Sequence, residues 1–339
     1  MKYFIYLFGL LLLSYGSTSA IEEHISAFAT EPESIEYLSL NYPDKAIELY
    51  KRNSAKLLTS HSEKTVSFYN DVLVAASSVH DTVLIEELVG LLAHRRLDPF
   101  REPYLFAIIN VLGVSYGTNL QYVEAIAAYK CALTLTDNKL EKMIAKVNLA
   151  IAYRMADQPA LSYQILQSID ESILSGRRIA GVLVVKGNTA MVLREVGAAI
   201  DHYTMARHYY IKAKHHRNAA RVTVNLLGAA LADGQWTLFD KVRKTLNLTL
   251  QSHLTDNESA YLLWLDKLYG SLKNKKISSE AQSVTLNLAP KLLAGGYLAP
   301  VKMILEPLGA MHLVSLEVQT ESKKSRLRPR LIEHWCGVP

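Results

Sequence analysis

The side chains best suited to chemistry gather in one short stretch of this 339-residue chain. Four histidines stand there, and His208 and His216 are two helical turns apart. A histidine pair can hold a metal or move a proton, but metal sites add a carboxylate or cysteine at ligand spacing, which is missing here. We therefore expect surface histidines, no metal site and no cofactor. The four are His202, His208, His215 and His216.

Familiar catalytic motifs are missing from the sequence. It has no HExxH zinc motif, no GxSxG nucleophile turn and no GxxxxGKS phosphate loop. Acidic neighbours such as Glu86 and Glu87 face different ways on a helix, so they do not form a working pair. The sequence predicts no catalytic residues and a protein that is not an enzyme.

Asparagine recurs at comparable positions in the middle of the chain. Asparagine is unfavourable inside a helix because its amide competes for backbone hydrogen bonds. Four recurrences in helical segments therefore favour a use in binding, with an arginine one turn before the last of them. The alternative is that these amides bridge neighbouring helices or cap loops. The candidate partner-binding residues are Asn110, Asn148, Asn188, Arg221 and Asn225.

The segments that carry these residues repeat with a fixed period. Gly113 precedes Ala125 by the same spacing at which Gly187 precedes Ala199. Ala150 lies midway, so the three small residues at 113, 150 and 187 are 37 residues apart each time. Such a recurrence is typical of a helical repeat array, in which small residues mark the points where two helices cross closely. One helix pair cannot bury its apolar stripe alone, so the pattern predicts stacked pairs.

Leu-Gly-x-x-Tyr at 112–116, followed by Ala-x-x-x-Tyr-x-x-Ala at 125–132, resembles the tetratricopeptide repeat family. The match is specific over 105–138 and 180–211, partial between them, and shifted to a spacing of 41 at Gly228. The resemblance implies an all-α, TPR-like α-solenoid of stacked antiparallel helix pairs. It also implies that the first helices line a concave groove, where the asparagine amides hold a protein or peptide.

The first twenty residues have the layout of a secretory signal peptide. Lys2 precedes an apolar run of about 11 residues, and small residues follow up to Ala20. The run is too short to span a membrane, which takes ~20 residues. We expect a cleaved leader, a periplasmic or secreted protein, and no integral membrane protein. The expected segments are 1–20 leader, 21–62 N-terminal helices of a degenerate repeat, 63–250 repeat array, 251–317 helices capping the superhelix, and 318–339 basic disordered tail.

Charge is unevenly distributed along the chain. Residues 21–170 hold 13 Lys/Arg against 19 Asp/Glu, whereas residues 171–339 hold 23 against 13. The basic half could steer an anionic partner. In an exported protein we expect an acidic or membrane-bound envelope partner, that is, an acidic protein, peptidoglycan or anionic lipid headgroups, and not a nucleic acid. The alternative for the basic stretch 207–221 is a solvated helix end.

The two cysteines, Cys131 and Cys336, allow one disulfide in an oxidising compartment. We expect instead that Cys131 is a small packed residue and that Cys336 is a free thiol in the tail.

Two function classes follow from these patterns. The first is an exported TPR-like scaffold or adaptor for protein–protein or peptide binding, with a role in signalling or envelope assembly. The alternative is an envelope enzyme or enzyme accessory whose helical superhelix faces glycan or peptidoglycan. A pocket with clustered acids would favour the alternative, and a groove lined by asparagine and arginine favours the scaffold.

Overall fold

A computed structural model describes residues 34–314 and 335–336 of the chain. The expected leader and nearly all of the expected tail lie outside these residues. The described residues are helical, with no β-strand among them, so the all-α prediction is confirmed for this part of the chain. They form two compact units, an N-terminal unit of residues 34–156 with 335–336 and a C-terminal unit of residues 157–314.

The N-terminal unit contains eight α-helices among its described residues. Side-chain oxygens of Ser62, Asp81 and Asn138 accept hydrogen bonds from the first free amides of three of these helices, which fixes where they begin. Short 3-10 turns at Arg95–Leu97 and Glu102–Tyr104 flank the fifth helix. The helices are α1 (Ile35–Asn41), α2 (Pro43–Thr59), α3 (Glu63–Val79), α4 (Thr82–Leu92), α5 (Asp98–Arg101), α6 (Leu105–Thr118), α7 (Tyr122–Thr134) and α8 (Lys139–Met155).

The C-terminal unit is built in the same way. A capping box between Thr255 and Glu258 begins its longest helix, and the Ser278 hydroxyl caps the next. The helices are α9 (Pro159–Gln167), α10 (Arg177–Val192), α11 (Val196–Lys212), α12 (His216–Ala232), α13 (Trp236–Thr245), α14 (Leu248–Gln251), α15 (Asp256–Lys273), α16 (Ser279–Ala294) and α17 (Leu298–Leu305).

Neighbouring helices form packed pairs in both units. In the N-terminal unit α6 packs on α7 and α7 on α8; in the C-terminal unit α10 packs on α11, α11 on α12 and α15 on α16. The tight turns between helices share one backbone geometry. Leu120, Asp157 and Arg194, which are 37 residues apart, all have left-handed backbone angles, with φ of 63°, 58° and 62°. The sequence period is therefore also a period of the backbone.

Hydrogen bonds explain why non-glycine residues adopt this costly conformation. The Gln121 amide donates to the Tyr116 carbonyl, and the Glu195 amide donates to the Ala190 carbonyl, each at 2.9 Å. This is the Schellman pattern, which satisfies carbonyls left free at a helix end. The bonds offset the ~1–2 kcal/mol that a left-handed residue with a side chain costs.

Aromatic rings fill the positions opposite the periodic glycines. A Cβ atom at Gly113 would lie 2.5 Å from the Tyr129 ring, and one at Gly187 would lie 2.5 Å from the Tyr203 ring. Gly228 faces the hydroxyl end of Tyr261, which comes from α15 and not from the adjoining α13. The predicted close approach of neighbouring helices is confirmed at Gly113 and Gly187, whereas at Gly228 the close contact is with the non-adjoining α15.

Residues 335 and 336 are attached to the N-terminal unit. Cys131 of α7 and Cys336 form a disulfide, with 5.6 Å between their Cα atoms. Trp335 beside it is buried, and its ring centroid lies 5.0 Å from the guanidinium carbon of the buried Arg101. The expectation of a free tail thiol is therefore wrong, and residues 335–336 are not part of a disordered tail. The pairing joins positions 205 residues apart, which local sequence patterns do not report.

Candidate functional site

Two of the predicted partner-binding residues lie in the core of the N-terminal unit. Asn110 of α6 and Asn148 of α8 have no exposed surface. The Nδ2 of Asn148 donates a hydrogen bond of 3.0 Å to the Oδ1 of Asn110. Complete burial contradicts a contact of these amides with a partner in a groove. They bridge two neighbouring helices, which was the alternative interpretation.

The sequence held a signal for this burial. Residues 106 and 108–117 of α6 are all buried, so the helix is covered on every side. A helix that is apolar all round belongs in a core, and a lone asparagine on it needs a partner from another helix. The apolar residues on both sides of Asn110 were the sign that this amide faces a helix and not solvent.

The other two asparagines are half-buried in the C-terminal unit. Asn188 lies on α10, and its Oδ1 accepts a 2.8 Å hydrogen bond from the hydroxyl of Tyr203 on α11. Asn225 lies on α12 and keeps part of its surface exposed. Both side chains are therefore accessible in part, unlike Asn110 and Asn148.

Arg221 has an acidic partner in its own chain. Its Nε lies 3.3 Å from the Oε1 of Glu258, and the two side chains are only 17% and 9% exposed. Tyr297 is buried beside them. Burial raises the pKa of the Tyr297 hydroxyl, the Glu258 carboxylate raises it further, and the Arg221 guanidinium opposes that rise. The side chain that was predicted to meet an acidic group of a partner is thus paired with Glu258 of its own chain.

The last α-helix of the C-terminal unit packs against two of the helices that were predicted to line a groove. α17 packs against both α10 and α12. Val301, Ile304 and Leu305 are almost fully buried there, and Arg194 pairs with Glu306 at 2.7 Å just beyond the helix. The spacing of these three apolar residues could have indicated a helix with one buried face, but not which helices it covers.

An exposed group of cations lies where α11 ends and α12 begins. Between Asp201 and Asp233 the sequence has five Lys/Arg, four His and no acidic residue. We call the Lys, Arg and His side chains at this junction, together with Arg177 at the start of α10, the basic end. It consists of Arg177, Lys212, Lys214, His215, His216 and Arg217, of which only His215 is half-buried.

Side-chain contacts hold several helix ends together beside the basic end. The guanidinium of Arg207 donates to the hydroxyls of Thr223 at 2.9 Å and Thr245 at 2.8 Å, which links α11 with α12 and α13. The rings of His216 and His253 are stacked with 6.0 Å between centroids. Burial lowers the pKa of His215, and the cations of Arg177 and Arg217 lower it further.

The histidines of this stretch do not converge on a metal site in the structure. Within residues 34–314 and 335–336, no three His, Cys, Asp or Glu side chains are grouped in a way that could hold a metal ion. His208 lies against Tyr209, whereas His216 lies against His253.

The geometry defines a class of fold, and the comparisons with known proteins add no family to it. No protein-family model matches the chain, and no curated protein matches it. None of the described helices is long and apolar enough to cross a membrane. The protein is all-helical over its described residues and consists of packed neighbouring helix pairs.

Proposed function

We propose that the protein is a TPR-like α-solenoid scaffold, exported from the cytoplasm, that binds a protein or peptide partner and catalyses no reaction itself. The observation that carries the proposal is the shared period of sequence and backbone. Small residues recur at 113, 150 and 187, and left-handed turn residues recur at 120, 157 and 194. Repeats with one period bury a common core by stacking and leave extended surfaces for binding.

The partner contacts the C-terminal unit on the face formed by α10 and α12, which are the first helices of their pairs. We call this surface the first-helix face, and the partner binds its accessible edge. Asn225 is the leading candidate, because it lies on α12, is half-exposed and can both donate and accept hydrogen bonds to a peptide backbone. Asn188 is a second candidate, although its carbonyl oxygen already accepts from Tyr203. A role in signalling or envelope assembly, with an acidic or membrane-bound envelope partner, fits export and the cationic C-terminal half.

Site-specific crosslinking tests this proposal. A photo-crosslinking amino acid replaces Asn225 in cells that naturally make the protein, and a matched control replaces Leu286, which is 55% exposed on α16. We expect a discrete crosslinked polypeptide from position 225 and none from position 286. The crosslinked polypeptide is then purified, and its affinity for the Asn225→Ala variant is compared with its affinity for the parent. We expect the variant to bind about tenfold more weakly, because the polypeptide loses one hydrogen-bond partner. Equal crosslinking at both positions, or equal affinity, would contradict the proposed surface.

Export is tested independently of binding. Cleavage after Ala20 or Ser19 leaves a mature chain that begins at Ile21 or Ala20. Mass spectrometry of the N-terminal peptide from the native protein identifies this end directly. An intact Met1 in the membrane fraction would show an uncleaved anchor instead.

A further inference from the structure

We propose that the basic end of the C-terminal unit is a docking surface for an anionic lipid bilayer. This inference does not rest on the proposed scaffold function, because it concerns a different surface from the first-helix face that carries Asn225. The inference is based on exposed cations and protruding apolar side chains that lie together where several neighbouring helices begin or end.

Charge is the first part of the argument. Lys212, Lys214 and Arg217 are exposed within the stretch that has no acidic residue. Lys244 is exposed in the last turn of α13, which the Arg207–Thr245 contact holds next to α11. Asp256 at the first position of α15 is the exposed acid that begins the neighbouring helix, and it leaves the surface with a positive excess.

Apolar exposure is the second part. Leu248 of α14 is 85% exposed, and Ile211 in the last turn of α11 is 46% exposed. A hydrogen bond joins Arg207 of α11 to Thr245 of α13. Ile211 lies one turn after Arg207, and Leu248 follows shortly after Thr245. Both apolar side chains therefore lie closer to this end of the helices than that hydrogen bond does. The described part of the chain leaves much of both side chains uncovered.

The combination favours a bilayer over an acidic polypeptide. Cations bind anionic headgroups at the surface, while single protruding leucines enter the boundary between headgroups and acyl chains. An acidic polypeptide would pair with the cations but would leave the protruding Leu248 and Ile211 without an apolar environment, whereas a bilayer supplies both. The protruding residues lie at helix ends and do not line a groove.

Sedimentation of the purified full chain with vesicles tests the lipid assignment. One vesicle is phosphatidylcholine alone and the other contains equal parts of phosphatidylglycerol and phosphatidylcholine. We expect binding to the anionic vesicle only, and a loss of binding at high salt because the attraction is screened. Equal binding to both vesicles, or no binding to either, would overturn the proposal.

A charge-matched pair of triple variants locates the surface. The test variant is Lys212→Gln, Lys214→Asn, Arg217→Gln, and the control is Lys273→Gln, Lys275→Asn, Lys276→Gln at the far end of α15, about 27 Å from the start of that helix. Asparagine replaces Lys214 and Lys275 because both have positive φ. Each cation at a membrane surface strengthens binding roughly fivefold, so the test variant should bind roughly a hundredfold more weakly and the control like the parent. Equal losses in both would mean attraction by net charge alone and would overturn the assigned surface.

A second pair tests the apolar contact. Leu248→Ser should weaken vesicle binding by roughly tenfold, because burying a leucine side chain is worth that much or more. Leu286→Ser, at the exposed leucine of α16, should leave binding unchanged. Circular dichroism and melting curves confirm that all variants are folded. If polyglutamate binds the basic end while anionic vesicles do not, the partner is an acidic polypeptide and the lipid assignment is wrong.

Discussion

The ring of Tyr203 lies against the backbone of Gly187 so closely that a Cβ atom at position 187 would be 2.5 Å from the ring. Tyr203 is buried, and its hydroxyl donates to Asn188, so the ring is held against α10 by two adjacent residues of that helix. The same arrangement joins Gly113 to Tyr129 in the N-terminal unit. In both cases the tyrosine follows the glycine at the same spacing in the sequence. The recurring contact fixes how a first helix crosses its second helix.

Gly187→Ala should destabilise the C-terminal unit by ~1–3 kcal/mol, since the added methyl group overpacks a crossing that cannot open freely. Urea unfolding followed by circular dichroism measures the change. Gly197→Ala on α11 is the control, because a Cβ atom there would meet no other atom within 4 Å. Because Gly197 is the second residue of α11, that control should be neutral or stabilising by no more than about 0.5 kcal/mol. Equal effects of the two substitutions would remove Gly187 from the crossing.

The glycine crossings could be predicted because their cause is local. The glycine and the tyrosine of each crossing belong to two helices joined by one tight turn, so their spacing alone brings them together. Gly228 shows the limit of this reasoning. The equivalent position after Gly228 is occupied by Lys244, and the ring over Gly228 comes from Tyr261 on α15. The turn conformation was also hidden, because Leu120 and Arg194 are not residues that usually adopt left-handed angles.

The candidate site was harder to predict because it depends on contacts between distant segments. The recurrence of asparagine did not distinguish a buried bridge, as between Asn110 and Asn148, from a solvent-facing amide. For Arg221 the deciding partner, Glu258, lies on a different helix, α15. The helix that covers α10 and α12 is α17, which comes much later in the chain than either of them. No pattern within one repeat contains that information.

The buried asparagine pair should behave as a coupled unit. Asn148→Ala leaves the Oδ1 of Asn110 without its donor, so we expect a loss of ~1–3 kcal/mol in the free energy of unfolding. Replacing both residues by leucine should cost less than the sum of the two single leucine substitutions, because no buried polar group is then left unpaired. A double-mutant cycle in urea measures the coupling. Additive losses would mean that the two amides do not interact.

The disulfide between Cys131 and Cys336 is checked directly by a non-reducing tryptic digest. Cleavage after Lys130, Lys139 and Arg330 gives a peptide of residues 131–139 and a peptide that begins at Leu331, which we expect to find linked. Cys336→Ser should lower the free energy of unfolding by ~2–5 kcal/mol, because a long loop is no longer closed in the unfolded chain. Reducing agent should lower the melting temperature of the parent but not that of the variant. Recovery of both peptides as free thiols from the native protein would contradict the pairing.

Asp71 should make the stability of the N-terminal unit depend on pH near neutrality. Burial raises the pKa of its carboxyl group to about 7, and the neighbouring Glu36 carboxylate adds to the rise. Burial also raises the pKa of the nearby Tyr104 hydroxyl, and the carboxylates of Glu63 and Asp71 add to that rise. An unfolded aspartate titrates near pH ~4.

The sign of the effect follows from proton binding. Between about pH 4 and pH 7 the folded protein holds a proton on Asp71 that the unfolded chain has released, so this group makes stability fall as the pH rises, by up to about 1.4 kcal/mol per pH unit. Asp71→Asn removes that penalty. The variant should therefore gain stability over the parent in urea unfolding near pH 8 and gain little near pH 5. Glu36→Gln should reduce the parent's pH dependence in part, since one repelling charge is removed while burial remains. If Asp71→Asn changes stability equally at both pH values, the carboxyl group titrates normally and burial is not perturbing it.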